Sequence, residues 1–426
     1  MRKRLMLCAL LMMVSCFADP ACAGAVYYIN PDGGRYYHAE RNCDAIAEAY
    51  RPGLVEMDAD EALAMSGLGA CPNCCAAETS YSRVIGGSGP DALYEVVALP
   101  DGDLLATGHT RSADGWLSDR SKTGKSGWAA RIEEGGQRAW NFCSRHSNND
   151  YMTTPVAHED GSVTVLLRSD GSEYNQIELI RLNADGGVIT RKTLMKLAQT
   201  EAHCALEWPK AFAGGYVVSR IEHTGPRVPV YTWYSFDGEV LRVSDGPKEG
   251  SLMAVGARHA IEPHDGTYWL CALDRRGHDT RLCELLDVKS GQVQYAEILS
   301  LDGGAAVVCG WRGGDACEGI ITCFDAKGNV TMEMSIPDEK IEHLLPYDGG
   351  YAAVGRNRYE ESSILLLDAQ GRLVRRVPVK GHIARYGRPI ALLEDGRLAV
   401  VSCFMGEDQG NGYANEEALL TVMDIQ

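Results

Sequence analysis

Beyond residue 80 the apolar positions fall into short runs rich in Val, Ile, Leu and Tyr, separated by small turn signals. Runs of about four to eight such residues, bounded by Gly and Asp, read as β-strands. Seven of the signals are Asp101-Gly102, Asp160-Gly161, Gly214-Gly215, Asp265-Gly266, Gly303-Gly304, Gly349-Gly350 and Asp395-Gly396. Each lies between two apolar runs, as tight hairpins do, because their turns need residues at positive φ. A second series follows at Gly135-Gly136, Gly186-Gly187, Asp237-Gly238, Ser290-Gly291, Lys327-Gly328 and Gln370-Gly371. The repeating unit is therefore strand, inner turn, strand, loop, strand, outer turn, strand. A unit of four strands recurring every 40–55 residues or so predicts a mainly β fold, a β-propeller of seven blades.

The two series do not match in number. After the seventh inner turn, runs at 398–402 and 419–423 bring the last blade to three strands, and the chain ends one strand short. At the other end, residues 81–85 form a run with no partner before the first blade. Placing that run as the outer strand of the last blade closes the ring and removes exposed sheet edges. Blade five is the irregular one. The stretch from Gln292 to Asp302 is too short for both an outer strand and the next inner strand, so this blade is expected to lack a strand.

Three segments follow from this pattern. Residues 1–23 have the form of a signal peptide: a basic start at Arg2, Lys3 and Arg4, an apolar stretch from Leu5 to Ala18, and Ala21-Cys22-Ala23 as a small-x-small cleavage site. This predicts export to the cell envelope or exterior. Val14-Ser15-Cys16 offers an alternative, lipidation at Cys16, which would add a membrane anchor; Met13 stands where such motifs usually carry Leu. Residues 24–79 form a small Cys/His unit of mixed α and β character, and residues 80–426 the propeller.

Composition narrows the partners. The net charge is −17, and removing residues 1–23 takes away three basic residues and one acid, leaving −19. Such a balance repels phosphate backbones and excludes nucleic acid as the expected partner. A protein or a glycan is the expected ligand, and no organic cofactor motif occurs. Thr123-Gly124-Lys125-Ser126 fails as a phosphate loop, because Asp119 occupies the leading Gly position and the context is not strand-to-helix.

The chemistry concentrates in residues 24–79. Runs at 26–29 and 36–38 alternate around Asp32-Gly33-Gly34 as in a hairpin, and Asp58 with Glu61 reads as a capping box opening a short helix. Then comes Cys71-Pro72-Asn73-Cys74. A Cys-x-x-Cys turn lets two thiolates converge on one cation, and a His and a Cys from the preceding hairpin complete a tetrahedron, the preference of Zn²⁺. A disulfide from Cys43 to a later cysteine is the alternative for an exported chain. Cys75 could also stand in for Cys74. Elsewhere, Cys271 with Cys283 and Cys309 with Cys317 flank turns, as either cross-strand disulfides or buried thiols.

Two resemblances add to this. Gly86-Gly87-Ser88-Gly89-Pro90-Asp91 and the following Val96 to Gly108 resemble the repeats of secreted bacterial propeller proteins, a scaffold class with many activities. The His38, Cys43, Cys71 and Cys74 pattern resembles the Ada-like zinc module, and that resemblance implies these four residues as ligands of a structural Zn²⁺. Where the DNA-repair branch of that family has four cysteines, this chain has His38, so neither methyl transfer nor DNA binding is carried over.

Two long polar loops, after the second strands of blades one and seven, would lie side by side in a closed ring. They nominate Trp116, Asp119, Arg120, Lys122, Asp408 and Tyr413 as ligand-binding residues. The expected function is that of an exported, non-catalytic binding or scaffold protein. The alternatives are a glycan-active hydrolase or lyase and an adhesive surface component. No catalytic residue is nominated.

Overall fold

The computed structural model describes residues 26–31, 34–65, 68–75, 78–118, 124–144, 149–198, 204–222, 228–245, 254–264, 267–285, 293–313, 317–384, 387–405 and 416–425. The nominated signal peptide, and Asp119, Arg120, Lys122, Asp408 and Tyr413, lie outside these residues. Seven antiparallel sheets make a seven-bladed β-propeller. Blades one to six run consecutively over 91–143, 149–198, 204–245, 254–285, 293–337 and 339–378. Blade seven takes three strands from 390–424, and its outer strand is Glu78–Ile85, paired antiparallel with Glu416–Asp424.

Apolar side chains from both faces of each blade pack against the neighbouring blades. Ile85, Leu93, Leu104, Trp128, Val401 and Leu420 belong to one such cluster, joining blades seven and one. The outer turns repeat one contact around the ring. Gly136 sits against Tyr81, Gly186 against Trp140 and Gly277 against Trp233, each with positive φ. A Cβ at Gly277 would come within 2.6 Å of the Trp233 ring, so both its backbone conformation and its close approach require glycine. Tyr81 on the closing strand thus supplies blade one with the contact that Trp140 supplies to blade two.

Blade five differs from the expectation. It is complete, with strands Val293–Ser300, Ala306–Arg312, Glu318–Phe324 and Val330–Pro337. Blade four departs from the expected turns twice. Its first two strands, Ala254–Val255 and His259–His264, are joined at 256–258, and Asp265-Gly266 lies between the second strand and the third, Thr267–Leu273, outside the described residues. The outer turn of blade four is Asp274–His278, where Asp274 Oδ1 accepts from the backbone N–H of Arg276 (2.7 Å) and of His278 (2.9 Å), with Gly277 at φ 76°. The outer strand is then Asp279–Leu285, and room remains for the next inner strand. Arg275, Arg276 and His278 around that glycine conceal a turn that a search for Gly between apolar runs passes over. Ser290-Gly291 lies outside the described residues.

Four innermost strands carry a register shift: Leu93/Glu95, Thr153/Val156, Tyr295/Glu297 and Ile341/His343. Such bulges re-aim a side chain. Here they direct polar groups into cross-blade bonds. Glu95 accepts from Thr154 N–H (2.8 Å), and Glu297 meets His343 Nδ1 (3.3 Å), Leu344 N–H (3.0 Å) and Arg388 Nε (3.0 Å). Blade three is altered further. Its innermost strand is split into Cys204–Leu206 and Lys210–Phe212, both pairing with Gly215–Glu222. Glu207 N–H still donates to the Ser219 carbonyl (3.0 Å), but Pro209 has no N–H for the ladder, so the strand breaks at Trp208-Pro209.

The N-terminal unit is not the expected hairpin. Val26–Ile29 pairs with Val55–Asp58, Tyr36–Tyr37 runs parallel to Gly69–Ala70, and only a Tyr28–His38 bridge joins the two predicted arms. The short helix Ala59–Ala64 is present, but the Asp58 side chain makes no capping bond. The unit rests on blade six. Glu361 accepts from Arg35 (2.6 Å) and from the Tyr36 hydroxyl (2.8 Å), Arg376 donates to the Leu68 carbonyl (3.2 Å), and Leu373 packs against the unit's core.

Candidate metal centre and ligand pocket

His38, Cys43, Cys71 and Cys74 converge, with one ligand atom from each lying within 4.8 Å of the others. The backbone sets them in place. His38 exchanges both main-chain bonds with Tyr28, Cys71 N–H donates to the Tyr37 carbonyl, and Cys75 N–H closes the knuckle onto the Cys71 carbonyl. Cys43 and Cys71 sulfurs are 3.7 Å apart, and Cys74 Sγ is 3.7 Å from His38 Nδ1. Around a tetrahedral Zn²⁺ with ordinary bond lengths, two sulfurs lie about 3.8 Å apart and a sulfur and a nitrogen about 3.6 Å. These two edges of the cluster match the spacing of a tetrahedral zinc site. Burial lowers the His38 pKa, which keeps its imidazole neutral and its lone pair available.

Cys75 takes a different path. Its thiol contacts the Tyr37 carbonyl at 3.6 Å, and burial, with Cys74 beside it, pushes its pKa up to about 12. Its sulfur is turned to that carbonyl, and the converging group holds Cys74 instead. Four protein ligands close the tetrahedron and leave none for water, so zinc here would hold the chain together rather than activate a substrate. Among the described cysteines none is in a disulfide. Leu270, not Cys271, stands opposite Cys283, and Ile321 stands opposite Cys309, so the other two pairings do not form.

A second group, Glu262, Cys271 and Asp279 in blade four, also brings ligand atoms within 4.8 Å of one another. Its Asp279 already pairs with Arg242 at 3.0 Å. Burial, reinforced by Asp279, raises Glu262 to about 7. Between its ordinary value of 4.5 and about 7 the folded protein keeps a proton that the unfolded chain releases. Stability therefore falls as pH rises through that window and levels off above it, by at most about 3 kcal/mol. Glu262→Gln is expected to shrink the difference between urea midpoints at pH 5 and pH 8; an unchanged difference would refute this assignment.

The face of the propeller carries a pocket of about 450 Å³ where blades one, two, three and seven meet. Tyr94 and His109 come from the first two strands of blade one, Tyr151 from the innermost strand of blade two, and Trp208 from the break in blade three. Their rings pack edge-on and tilted: Tyr151–Trp208 at 5.3 Å, His109–Tyr151 at 5.7 Å and Tyr94–Trp208 at 5.9 Å. Lys125 Nζ lies 4.0 Å from the Tyr151 ring centroid, Arg111 stands exposed at the rim, and Glu416 enters from blade seven.

The polar groups have defined roles. Burial, with Lys125 and Arg111 nearby, pushes His109 down to about 3, so it is neutral at pH 7. Burial also raises Tyr94, whose hydroxyl is hydrogen-bonded to His109 Nδ1. Burial and Asp91 raise Glu416. Behind the pocket, the buried Asp91 accepts from Gly87 N–H (2.8 Å), Thr110 Oγ1 (2.5 Å) and Ser112 Oγ (2.7 Å), which fixes the Gly-rich segment beside Pro90.

Of the nominated ligand-binding residues, Trp116 is described. It lines a different groove, with Arg83, Val84 and Arg138, and its carbonyl accepts from Arg138 and Asn141. The pocket instead uses the anchored ends of the two nominated loops: His109 and Lys125 of the first, Glu416 of the second. Two signals in the chain point to the rest. Tyr94-Glu95 interrupts an apolar run, and Glu207-Trp208-Pro209 interrupts a strand.

No protein-family model matches the chain, and no curated protein matches it. Similar solved structures include the β-propeller domain of the Trilobed protease from Pyrococcus furiosus, at 10% identity and TM-score 0.44, covering 79% of this chain and 97% of that one. Another is the α-L-arabinofuranosidase Arb93A from Fusarium graminearum, at 10% identity and TM-score 0.45, covering 80% and 98%. A third is the C-terminal WD40 domain of Sif2, at 10% identity and TM-score 0.41, covering 80% and 98%. Identities this low concern the fold alone, and the propeller assignment stands on the seven sheets themselves.

Proposed function

We propose that this chain is an exported binding protein whose ligand occupies the aromatic pocket at the junction of blades one, two, three and seven. The observation that carries this reading is the pocket itself. Three aromatic rings and a neutral histidine from three blades meet there, beside two cations and a carboxyl. Concave aromatic walls with a few placed polar groups are what ligand sites have in common. Export rests on the signal-like residues 1–23. The Cys/His unit serves as a zinc-stapled support on blade six, in keeping with its resemblance to the Ada-like module and with the convergence of its four ligand atoms.

A thermal-shift screen of the full protein against glycans, amino acids and small organic acids tests it. Ligands that raise the melting temperature are expected to lose that effect in Tyr151→Ala. Stabilisation that persists in Tyr151→Ala would place the site elsewhere, and turnover of a hit, seen by mass spectrometry, would make the protein an enzyme.

A further inference from the structure

The pocket's polar groups are arranged around its rings in a way that restricts the ligand. Arg111 at the rim and Lys125 over Tyr151 are both cationic, and no ion pair involves either among the described residues. In a chain of net charge −17, two cations at one pocket mark a local reversal of sign. They suit a carboxylate better than a neutral or cationic ligand. Glu416 sets a second condition, because a carboxylate ligand lying next to it must also bring hydroxyl donors. The His109 ring adds a polar group on the wall, able to bond a sugar hydroxyl. Tyr151 and Trp208 line the pocket with aromatic surface beside which a saturated ring can pack by its C–H faces, with Lys125 over the Tyr151 ring and Arg168 over the Trp208 ring at 5.0 Å.

A flat aromatic acid without hydroxyls would meet the first condition and fail the second. A pyranose ring carrying both a carboxylate and hydroxyls meets all of them. We infer that the pocket binds an acidic sugar, a uronate unit, with its carboxylate between Arg111 and Lys125, its ring beside Tyr151 and Trp208, and a hydroxyl donating to Glu416. The volume of about 450 Å³ accommodates one or two such rings. This inference rests on the proposed binding function and specifies its ligand.

The test is calorimetric titration of the full protein with oligogalacturonate and with oligoglucuronate, against neutral galactose and glucose oligomers of the same length. Uronate oligomers are expected to bind at least ten-fold more tightly than the neutral ones. Arg111→Gln, at an exposed position, and Lys125→Gln, at a half-exposed one, are each expected to weaken uronate binding about ten-fold. Trp208→Ala is expected to weaken both. Added salt is expected to weaken the uronate complex alone. Equal affinity for neutral and acidic oligomers would overturn the uronate assignment and leave the pocket's binding function standing. Binding of some other ligand at Tyr151, with none of either sugar, would overturn it too. The absence of any pocket ligand would overturn both.

Discussion

The purified protein is expected to hold one equivalent of zinc, and replacing Cys43 and Cys71 together by serine is expected to abolish it. Those two sulfurs form one edge of the ligand tetrahedron, 3.7 Å long. The consequence for residues 26–75 should be large. Their core is small, built around Ile29, Tyr37, Ile46, Leu54 and Leu63. A structural zinc contributes on the order of 10–16 kcal/mol to folding a unit of this kind. Metal-free protein should accordingly be cleaved by protease within the N-terminal unit while the propeller resists. Acidification should release the metal, because thiolates and a neutral imidazole are what bind it. Elemental analysis and limited proteolysis read both effects. Zinc retained at full stoichiometry in the double variant would sink the assignment. So would unsubstituted protein with no zinc and a mapped Cys43–Cys71 disulfide.

Removal of residues 1–85 is expected to be just as damaging to the propeller, although blades one to six remain whole. It strips the outer strand from blade seven and exposes the edge of Glu416–Asp424. It also removes Ile85 from the core between blades seven and one, and Tyr81 from beneath Gly136. Losing one large buried side chain costs roughly 2–5 kcal/mol, and a typical domain has only about 5–15 kcal/mol in total. The truncated chain should therefore aggregate or melt far below the full one. Residues 78–85, appended after residue 426 through a short flexible linker, should restore a soluble, cooperatively melting propeller. A truncated chain that melts like the original would show that ring closure contributes little.

The rescue separates two kinds of information in the chain. Six of the seven nominated inner turns join the first two strands of a blade, because a tight hairpin needs positive φ and only a few residue types supply it cheaply; Asp265-Gly266 instead falls between the second and third strands of blade four. Tyr81–Ile85 was readable as a strand without a local partner. By contrast, the Asp274–His278 turn was hidden by the charged residues around Gly277, and the missing turn was charged to blade five. The same division holds for the sites. A Cys-x-x-Cys knuckle with a nearby His and Cys names its own chemistry, because ligand type and short spacing suffice. Tyr94, Tyr151 and Trp208 carry no such signature. They lie on three blades, far apart in sequence, and Lys125 belonged to a rejected phosphate-loop motif.

By itself, then, the sequence determined the repeating four-stranded unit, the residues able to ligate a metal and the excess of negative charge. These are local or additive properties: backbone conformation at single positions, short-range spacing and summed charge. Only the tertiary structure decided where the turns of blade four lie, that the N-terminal unit rests on blade six, and that a pocket forms where four blades meet. Those outcomes depend on bulges and a broken strand that re-aim individual side chains, and on contacts between segments hundreds of residues apart. No periodicity along the chain encodes where such side chains converge.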